Sequence, residues 1–210
     1  MSSQPSIGSA PKMPAEDSLL AVLSSQDAGE HEKAVACEKL AWVATRKSVP
    51  ALAALLADEH LSDYARSGLE IIPDPAAAEA LRRALPNLEG RLLAGVVNSL
   101  GVRRDAAAVP ELRKLALAPD SGVAPEAIAS LGMIATPDAV ETLGKILADG
   151  PKKLRPPAAH ALLATADHLA RDGKTDEAER LRTRARKVLG LKNKASHQGN
   201  TDGTRQSQDR

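Results

Sequence analysis

The chain has 210 residues, and its 28 Lys and Arg nearly balance its 27 Asp and Glu, so the formal net charge is +1. Hydrophobic residues make up 43% of the sequence but aromatic residues only 1%, a composition that favours closely packed short helices and disfavours a β-sandwich or barrel. The single Cys excludes an intrachain disulfide, and no apolar run approaches the roughly 20 residues that span a bilayer. The first residues lack the pattern of a signal peptide, so we expect a cytoplasmic protein with no membrane association.

In chain order, residues 1–15 are rich in Ser, Pro and Gly, and we expect them to be disordered. A short helix is predicted at 16–25, where it closes one end of the domain as a cap. Helix pairs follow to residue 189, in a domain that spans 16–189. The predicted repeats cover about 30–58, 60–86, 88–118, 122–149 and 152–189. Residues 190–210 are polar without apolar periodicity, and we expect a disordered tail.

The helix pairs recur with a nearly constant period. The first helix of each pair (helix A) aligns on Leu40, Leu69, Leu100, Leu131 and Leu162. The second (helix B) aligns on Leu52, Leu81, Leu112 and Leu143. Each step is 29 or 31 residues. A period of this length is typical of a helical solenoid, in which each pair buries its apolar face against its neighbours.

Turn signals separate the two helices of a pair. Gly101 and Gly132 follow the aligned Leu of helix A, where we expect a left-handed residue to end the helix. Prolines stand near the start of each helix B, where a missing N–H costs little; they are Pro50, Pro75, Pro110 and Pro137. Asp74, Asp105 and Thr136 are predicted N-caps.

The unit of helix, Leu-Gly, short turn and Ala-Val-x-x-Leu helix resembles HEAT repeats, most closely the short type first named in phycobilisome lyases. The motifs that carry the resemblance are Ser99-Leu-Gly with Ala106-Ala-Ala-Val-Pro-Glu-Leu112, and Ser130-Leu-Gly with Pro137-Asp-Ala-Val-Glu-Thr-Leu143. The resemblance covers residues 30–150 well and 151–189 loosely. It implies an all-α, right-handed α-solenoid of about five hairpins that serves as a protein-binding scaffold.

The residues that could carry chemistry are few. The sequence has no Gly-rich phosphate loop, no Gly-x-Ser-x-Gly and no Cys-x-x-Cys. Cys37 stands in a column of small residues, so we expect a buried filler and not a reactive thiol. His160 and His168 are eight residues apart, whereas zinc-binding pairs are usually closer. We therefore predict a protein that is not an enzyme and has no cofactor or metal.

The two aromatic residues of the sequence are Trp42 and Tyr64. Each lies in a helix A, and the two could touch across the stack. We expect them to pack in the core or at its rim. The alternative is that they face a ligand, since Trp and Tyr are favoured binding residues when exposed.

Helix B carries a recurrent basic pattern, one and two places after the aligned Leu. The predicted partner contacts are Arg82, Arg83, Arg113, Lys114, Lys145 and Arg182. These positions lie off the Leu face, so we expect them to be exposed. In the proteins that the sequence resembles, helix B lines the concave surface. The stripe can bind an acidic segment of a protein, or nucleic-acid phosphates.

Two alternatives to this protein-binding interpretation stay open. The stripe can be a solvated face, because Glu79, Glu111 and Glu141 precede the cations at i,i+3 or i,i+4 spacing, and such pairs add about 0.2–0.5 kcal/mol each to helix stability. The chain can also be a lyase-type subunit or a chaperone of a prosthetic group. The scarcity of aromatic side chains disfavours a tetrapyrrole pocket, and together with the low net charge it makes nucleic-acid binding the weaker prediction.

Overall fold

The helices of the protein form one continuous series. A computed structural model describes residues 14–118 and 122–191, so the terminal segments expected to be disordered fall almost wholly outside the described residues. The α-helices of the described part are α1 (Glu16–Ser24), α2 (Glu30–Val43), α3 (Val49–Ala54), α4 (Ser62–Ile71), α5 (Pro75–Ala84), α6 (Gly90–Val102), α7 (Val109–Leu117), α8 (Ala124–Ile134), α9 (Pro137–Asp149), α10 (Arg155–Arg171) and α11 (Thr175–Leu189). Short 3-10 helices occupy Arg46–Ser48, Leu85–Asn87, Ala106–Ala108 and Lys152–Leu154.

These helices stack in two layers. In the A layer, α2, α4, α6, α8 and α10 each pack against the next. In the B layer, α3 packs against α5 and α7 against α9, and each B helix also packs against the A helix that follows it. The helix α1 covers α2 at one end, and α11 covers α10 at the other. This succession of neighbours confirms the predicted all-α solenoid of HEAT-like hairpins.

The aligned leucines form the core between the two layers. All nine, from Leu40 to Leu162, are fully buried in the structure. Burying one such side chain contributes about 1.5–3 kcal/mol relative to leaving it in water. The repeat period found in the sequence is therefore the interval at which the core leucines recur along the chain.

The predicted starts of helix B are also confirmed. The carboxylate of Asp74 accepts a hydrogen bond at 2.8 Å from a backbone N–H two residues later, and Asp105 does the same at 3.3 Å. The hydroxyl of Thr136 accepts from the N–H three residues later at 3.3 Å. A proline occupies one of the first two positions of α3, α5, α7 and α9, where it removes a donor that would have no helical partner.

The predicted left-handed role of Gly101 and Gly132 is wrong. Both lie within helices, α6 and α8, and neither has a positive φ. A Cβ on Gly132 would lie 3.0 Å from the Cα of Ala161 on α10, and one on Gly101 would lie 2.9 Å from the Cα of Ser130 on α8. The glycines are therefore sites of close approach between successive A helices.

The left-handed positions come three residues further on. Arg104 has a φ of 51° and Ala135 a φ of 57°. Ala135 ends α8 with its N–H donated to the carbonyl of Leu131 at 3.0 Å. A left-handed residue with a side chain is strained by roughly 1–2 kcal/mol, because its Cβ crowds the following carbonyl. The sequence thus predicts a left-handed residue at the end of helix A correctly, but at the wrong positions.

Buried polar groups also join successive A helices. The hydroxyl of Ser130 donates to the carbonyl of Val97 at 2.9 Å, and that of Thr165 donates to the carbonyl of Gly132 at 3.0 Å. The guanidinium of Arg103 donates to three carbonyls at the end of α4, at 2.6, 3.0 and 2.7 Å. The carbonyls bonded by Thr165 and Arg103 lie at helix ends, where the helix itself leaves them without a partner. Together with the Ser130 bond, they hold each A helix in register with the one before.

We expect the substitution Gly132→Ala to lower the free energy of unfolding by about 1–3 kcal/mol, because the added methyl meets the backbone of α10. The sign is the informative part, since Gly→Ala inside a helix otherwise raises stability by about 1 kcal/mol. Guanidinium denaturation followed by circular dichroism measures it. The matched control is Gly144→Ala, where the new Cβ meets only the end of the Arg184 side chain; an equal loss there would contradict the close-approach role.

Ala135→Gly should raise the free energy of unfolding by about 0.5–1 kcal/mol, because glycine adopts a positive φ without the crowding that strains alanine. The same denaturation experiment applies. Ala129→Gly, at an exposed position inside the same helix, should instead lower stability by about 1 kcal/mol. Destabilisation by both changes would show that the turn at Ala135 is not strained.

Candidate functional site

The six predicted contact residues separate into two groups. The inner cations, one place after the aligned Leu, are Arg82, Arg113 and Arg182, and all three are half-buried. The outer cations, two places after it, are Arg83, Lys114 and Lys145, and their side chains are 69–77% exposed. Exposure is thus confirmed for the outer cations and wrong for the inner ones.

The inner cations of the central repeats bind the next repeat. Arg82 forms an ion pair with Asp105, the N-cap residue ahead of α7. The Nε of Arg113 donates to the hydroxyl of Thr142 on α9 at 2.9 Å. One residue after the Leu, a side chain lies about 100° from the core direction, which points it along the layer towards the neighbouring repeat and not into solvent.

The inner cation of the closing helix behaves in the same way. Arg182 on α11 forms ion pairs with Asp167 on α10 at 2.8 Å and with Glu179 on its own helix at 2.7 Å. The hydrogen bonds that the guanidinium donates to these carboxylates, the one to Asp167 foremost, raise its pKa above the ordinary value. Arg182 therefore holds the closing hairpin together.

The outer cations pair within their own helices. Arg83 pairs with Glu79, Lys114 with Glu111 at 2.8 Å and Lys145 with Glu141 at 2.5 Å. These are the ion pairs that the solvated-face alternative predicts. In the last pair, the hydrogen bond from Lys145 lowers the pKa of the Glu141 carboxyl below its ordinary value. The outer cations remain accessible, but each one is presented beside an acid.

A groove separates the first two B helices, α3 and α5. It has a volume of about 540 Å³ and is lined by the apolar side chains of Val49, Ala53 and Ala80. The charged groups of Arg83 and Glu79 stand at the same groove. An outer cation therefore borders an apolar depression.

A second groove lies between α5 and α7 and also has a volume of about 540 Å³. Its apolar lining comes from Leu85, Pro86 and Leu115, and its charged lining includes Arg82 and Lys114. Two consecutive grooves thus repeat the same combination of apolar surface and cation. Sequence reasoning found the cations but not the depressions, because the width of a groove depends on how far apart two helices pack.

The expectation that Trp42 packs in the core or at its rim is wrong. Its side chain is 82% exposed, and that of Tyr64 is 37% exposed. Trp42 lies two places after the aligned Leu of its helix A. The same place in the next two repeats holds Ile71, at 55% exposure, and Val102, at 48%. The signal was present in the alignment, as a column of large apolar residues about 200° around the helix from the core leucine.

Two further candidates for chemistry are Cys37 and His168. Cys37 is fully buried, as expected, and burial raises the pKa of its thiol to about 11, so it stays neutral near pH 7. Partial burial, with the charges of Arg104 and Arg171 beside the ring, lowers the pKa of His168. Within residues 14–118 and 122–191 there is no group of three or more His, Cys, Asp or Glu placed to hold a metal ion. No helix in these ranges combines the length and the apolar character needed to cross a membrane.

Comparison with known proteins finds a family match for the central repeats. Residues 89–163 match the family model of HEAT repeats. Among solved structures, the chain is similar to the crystal structure of an engineered protein from the Northeast Structural Genomics Consortium, with 20% identity and a TM-score of 0.47 over 83% of this chain and 96% of that one. A search of curated proteins finds no match.

The inner and outer cations can be separated by a matched pair of substitutions on adjacent residues. Arg82→Ala should lower the free energy of unfolding by about 1–2 kcal/mol, because it leaves the partly buried carboxylate of Asp105 without its cation. Arg83→Ala should cost less than about 0.5 kcal/mol, because it removes only an exposed i,i+4 pair. Chemical denaturation of both variants measures the difference, and equal effects would contradict the division.

Proposed function

Because the chain is a HEAT-like repeat protein, we propose that it is a non-catalytic scaffold that holds another protein on its helix B surface. The observation that carries the proposal is the placement of Arg83 and Lys114 beside apolar grooves between successive B helices. Apolar side chains of a partner can enter the grooves while its carboxylates meet the cations. Lys145 continues the row of outer cations on α9. The partner we propose is an acidic segment with interspersed apolar residues.

The energetics favour such exchangeable contacts. Each outer cation gains about 0.2–0.5 kcal/mol from its present glutamate, so its ion pair is easily opened or shared. A second carboxylate from the partner can approach the cation without displacing the first. The repeats form a pre-assembled surface, which keeps the cost of ordering the scaffold on binding small. Apolar burial in the grooves supplies affinity, and the charges supply register.

The same geometry disfavours a nucleic-acid ligand. Glu79, Glu111 and Glu141 stand beside the outer cations, so a phosphate backbone along this row would meet alternating charges. We also propose a cytoplasmic location. The one Cys of the chain is buried as a free thiol, which suits a reducing compartment.

The proposal predicts that reversing the three outer cations together, as Arg83→Glu, Lys114→Glu and Lys145→Glu, abolishes capture of the partner. Each new glutamate would repel the acidic segment as well as its own neighbouring acid. The measurement is affinity capture from the native cell with quantitative mass spectrometry. Proteins retained by the unchanged chain and lost with the variant are the expected result.

The matched control reverses three exposed cations away from the B grooves, as Arg91→Glu, Lys152→Glu and Arg180→Glu. It changes the net charge by the same amount, so it should keep the captured proteins. Loss of capture in both variants would indicate a response to net charge alone. Retention in both would contradict binding of the partner through the helix B surface. A coloured purified protein would favour the prosthetic-group alternative.

A further inference from the structure

A row of exposed apolar side chains crosses the A layer, outside the helix B surface. We define this apolar row as Trp42 on α2, Ile71 on α4 and Val102 on α6, all of them exposed. The row ends at α8, where the equivalent Met133 is half-buried and its terminal methyl lies against Gly101. Scattered apolar residues on a surface need no explanation, but the same position in three successive repeats does.

The position of the row in the helix places it on the outer side of the A layer. Each row residue follows a fully buried leucine by two places, which turns it about 200° away from the core. The core leucines face the B helices, so the row faces the opposite way. It therefore cannot belong to the grooves that the helix B proposal uses.

The packing of the A helices makes the row continuous. The helices α2, α4 and α6 pack in succession. Arg66 on α4 donates to the carbonyl of Gly95 on α6 at 3.2 Å, and Ser99 on α6 donates to the carboxylate of Glu70 at 2.6 Å. These bonds hold α4 and α6 in register, which places Ile71 and Val102 at equivalent positions on adjacent helices.

The spacing of the row fits one kind of ligand. Packed helices lie about 8–10 Å apart, which sets the interval between row residues. In an α-helix, residues seven apart share a face and are separated by about 10.5 Å. In an extended segment, residues on one face are separated by about 7 or 13 Å. A helix with apolar residues at i, i+7 and i+14 therefore matches this interval more closely than a strand does.

The width of the row also favours a single helix over a second copy of the chain. The row is one residue wide in each repeat and is bordered by the exposed polar residues Ser67 and Asn98. A stable interface between two proteins buries about 800 Å² on each side, more than three side chains of this size expose. A helix about 10–12 Å across matches the narrow shape.

From these observations we infer that the apolar row is a second binding surface, which takes an amphipathic helix of another protein with apolar residues two turns apart. The scaffold then holds two partners, one on each layer. This surface stands independently of the helix B proposal.

Trp42 is the only tryptophan of the chain, so its fluorescence reports on the row alone. The probe is a synthetic, Trp-free helical peptide with Leu at i, i+7 and i+14. We expect this peptide to shift the emission to the blue and to protect Trp42 from acrylamide quenching. A peptide of the same composition with Leu at i, i+5 and i+10 should do neither.

Ile71→Glu and Val102→Glu keep the reporter and place a charge in the row. Each should weaken peptide binding by at least about tenfold, because it removes the burial of one apolar side chain and buries a charge. The matched control is Ala129→Glu, at an exposed A-layer position outside the row, which should bind as the unchanged chain does. Circular dichroism melting verifies that all three variants fold.

The outcomes separate this surface from the helix B proposal. The variant with Arg83, Lys114 and Lys145 reversed should bind the peptide normally. Equal binding of both peptides would overturn the helix-spacing argument. A blue shift that grows with protein concentration in the absence of peptide would assign the row to a second copy of the chain and overturn the proposal. A blue shift with phospholipid vesicles but not with the peptide would assign it to a lipid surface and overturn it equally.

Discussion

The close approach of successive A helices is the constraint on which the rest of the structure depends. At Gly101 and Gly132 the helices pack so closely that a methyl group would meet the neighbouring backbone. Buried hydroxyls, such as those of Ser130 and Thr165, bond to carbonyls of the preceding A helix at the same interfaces. Close contact and satisfied polar groups together fix one register. Every column of the repeat then has a set direction, towards the core, the next repeat or solvent.

The direction of a column decides what its residues do. In helix B, one place after the core leucine, Arg82 and Arg113 tie one repeat to the next. One place further, Arg83 reaches solvent. In helix A, two places after the leucine, Trp42 faces away from the core altogether. A rotation of about 100° per residue thus separates residues that hold the solenoid together from residues available to a partner. The two proposed surfaces lie on opposite layers because the core lies between them.

The sequence predicts correctly those features that depend on a single helix or a single turn. The core leucines, the caps at Asp74 and Asp105 and the prolines near the helix B starts follow from local periodicity and local hydrogen bonding. It does not predict features that depend on the distance or the rotation between two helices. Gly132 has the sequence context of a turn residue, but it is a packing contact. Arg82 has the pattern of an exposed residue, but a neighbouring N-cap lies within its reach. The B-layer grooves likewise exist only once two helices are placed.

Several of the bonds between repeats have a further property in common, which is their span along the chain. Arg113 donates to Thr142, 29 residues away, and Ser130 donates to Val97, 33 residues away, so these two links join positions about one period apart. A duplication or deletion of one whole period would present every remaining residue with a neighbour of the same kind. A change of half a period would bring a helix A against a helix B. The close-contact glycines of helix A would then lie opposite the inner arginines of helix B. The repeat is therefore the natural unit in which a protein of this kind can lengthen or shorten.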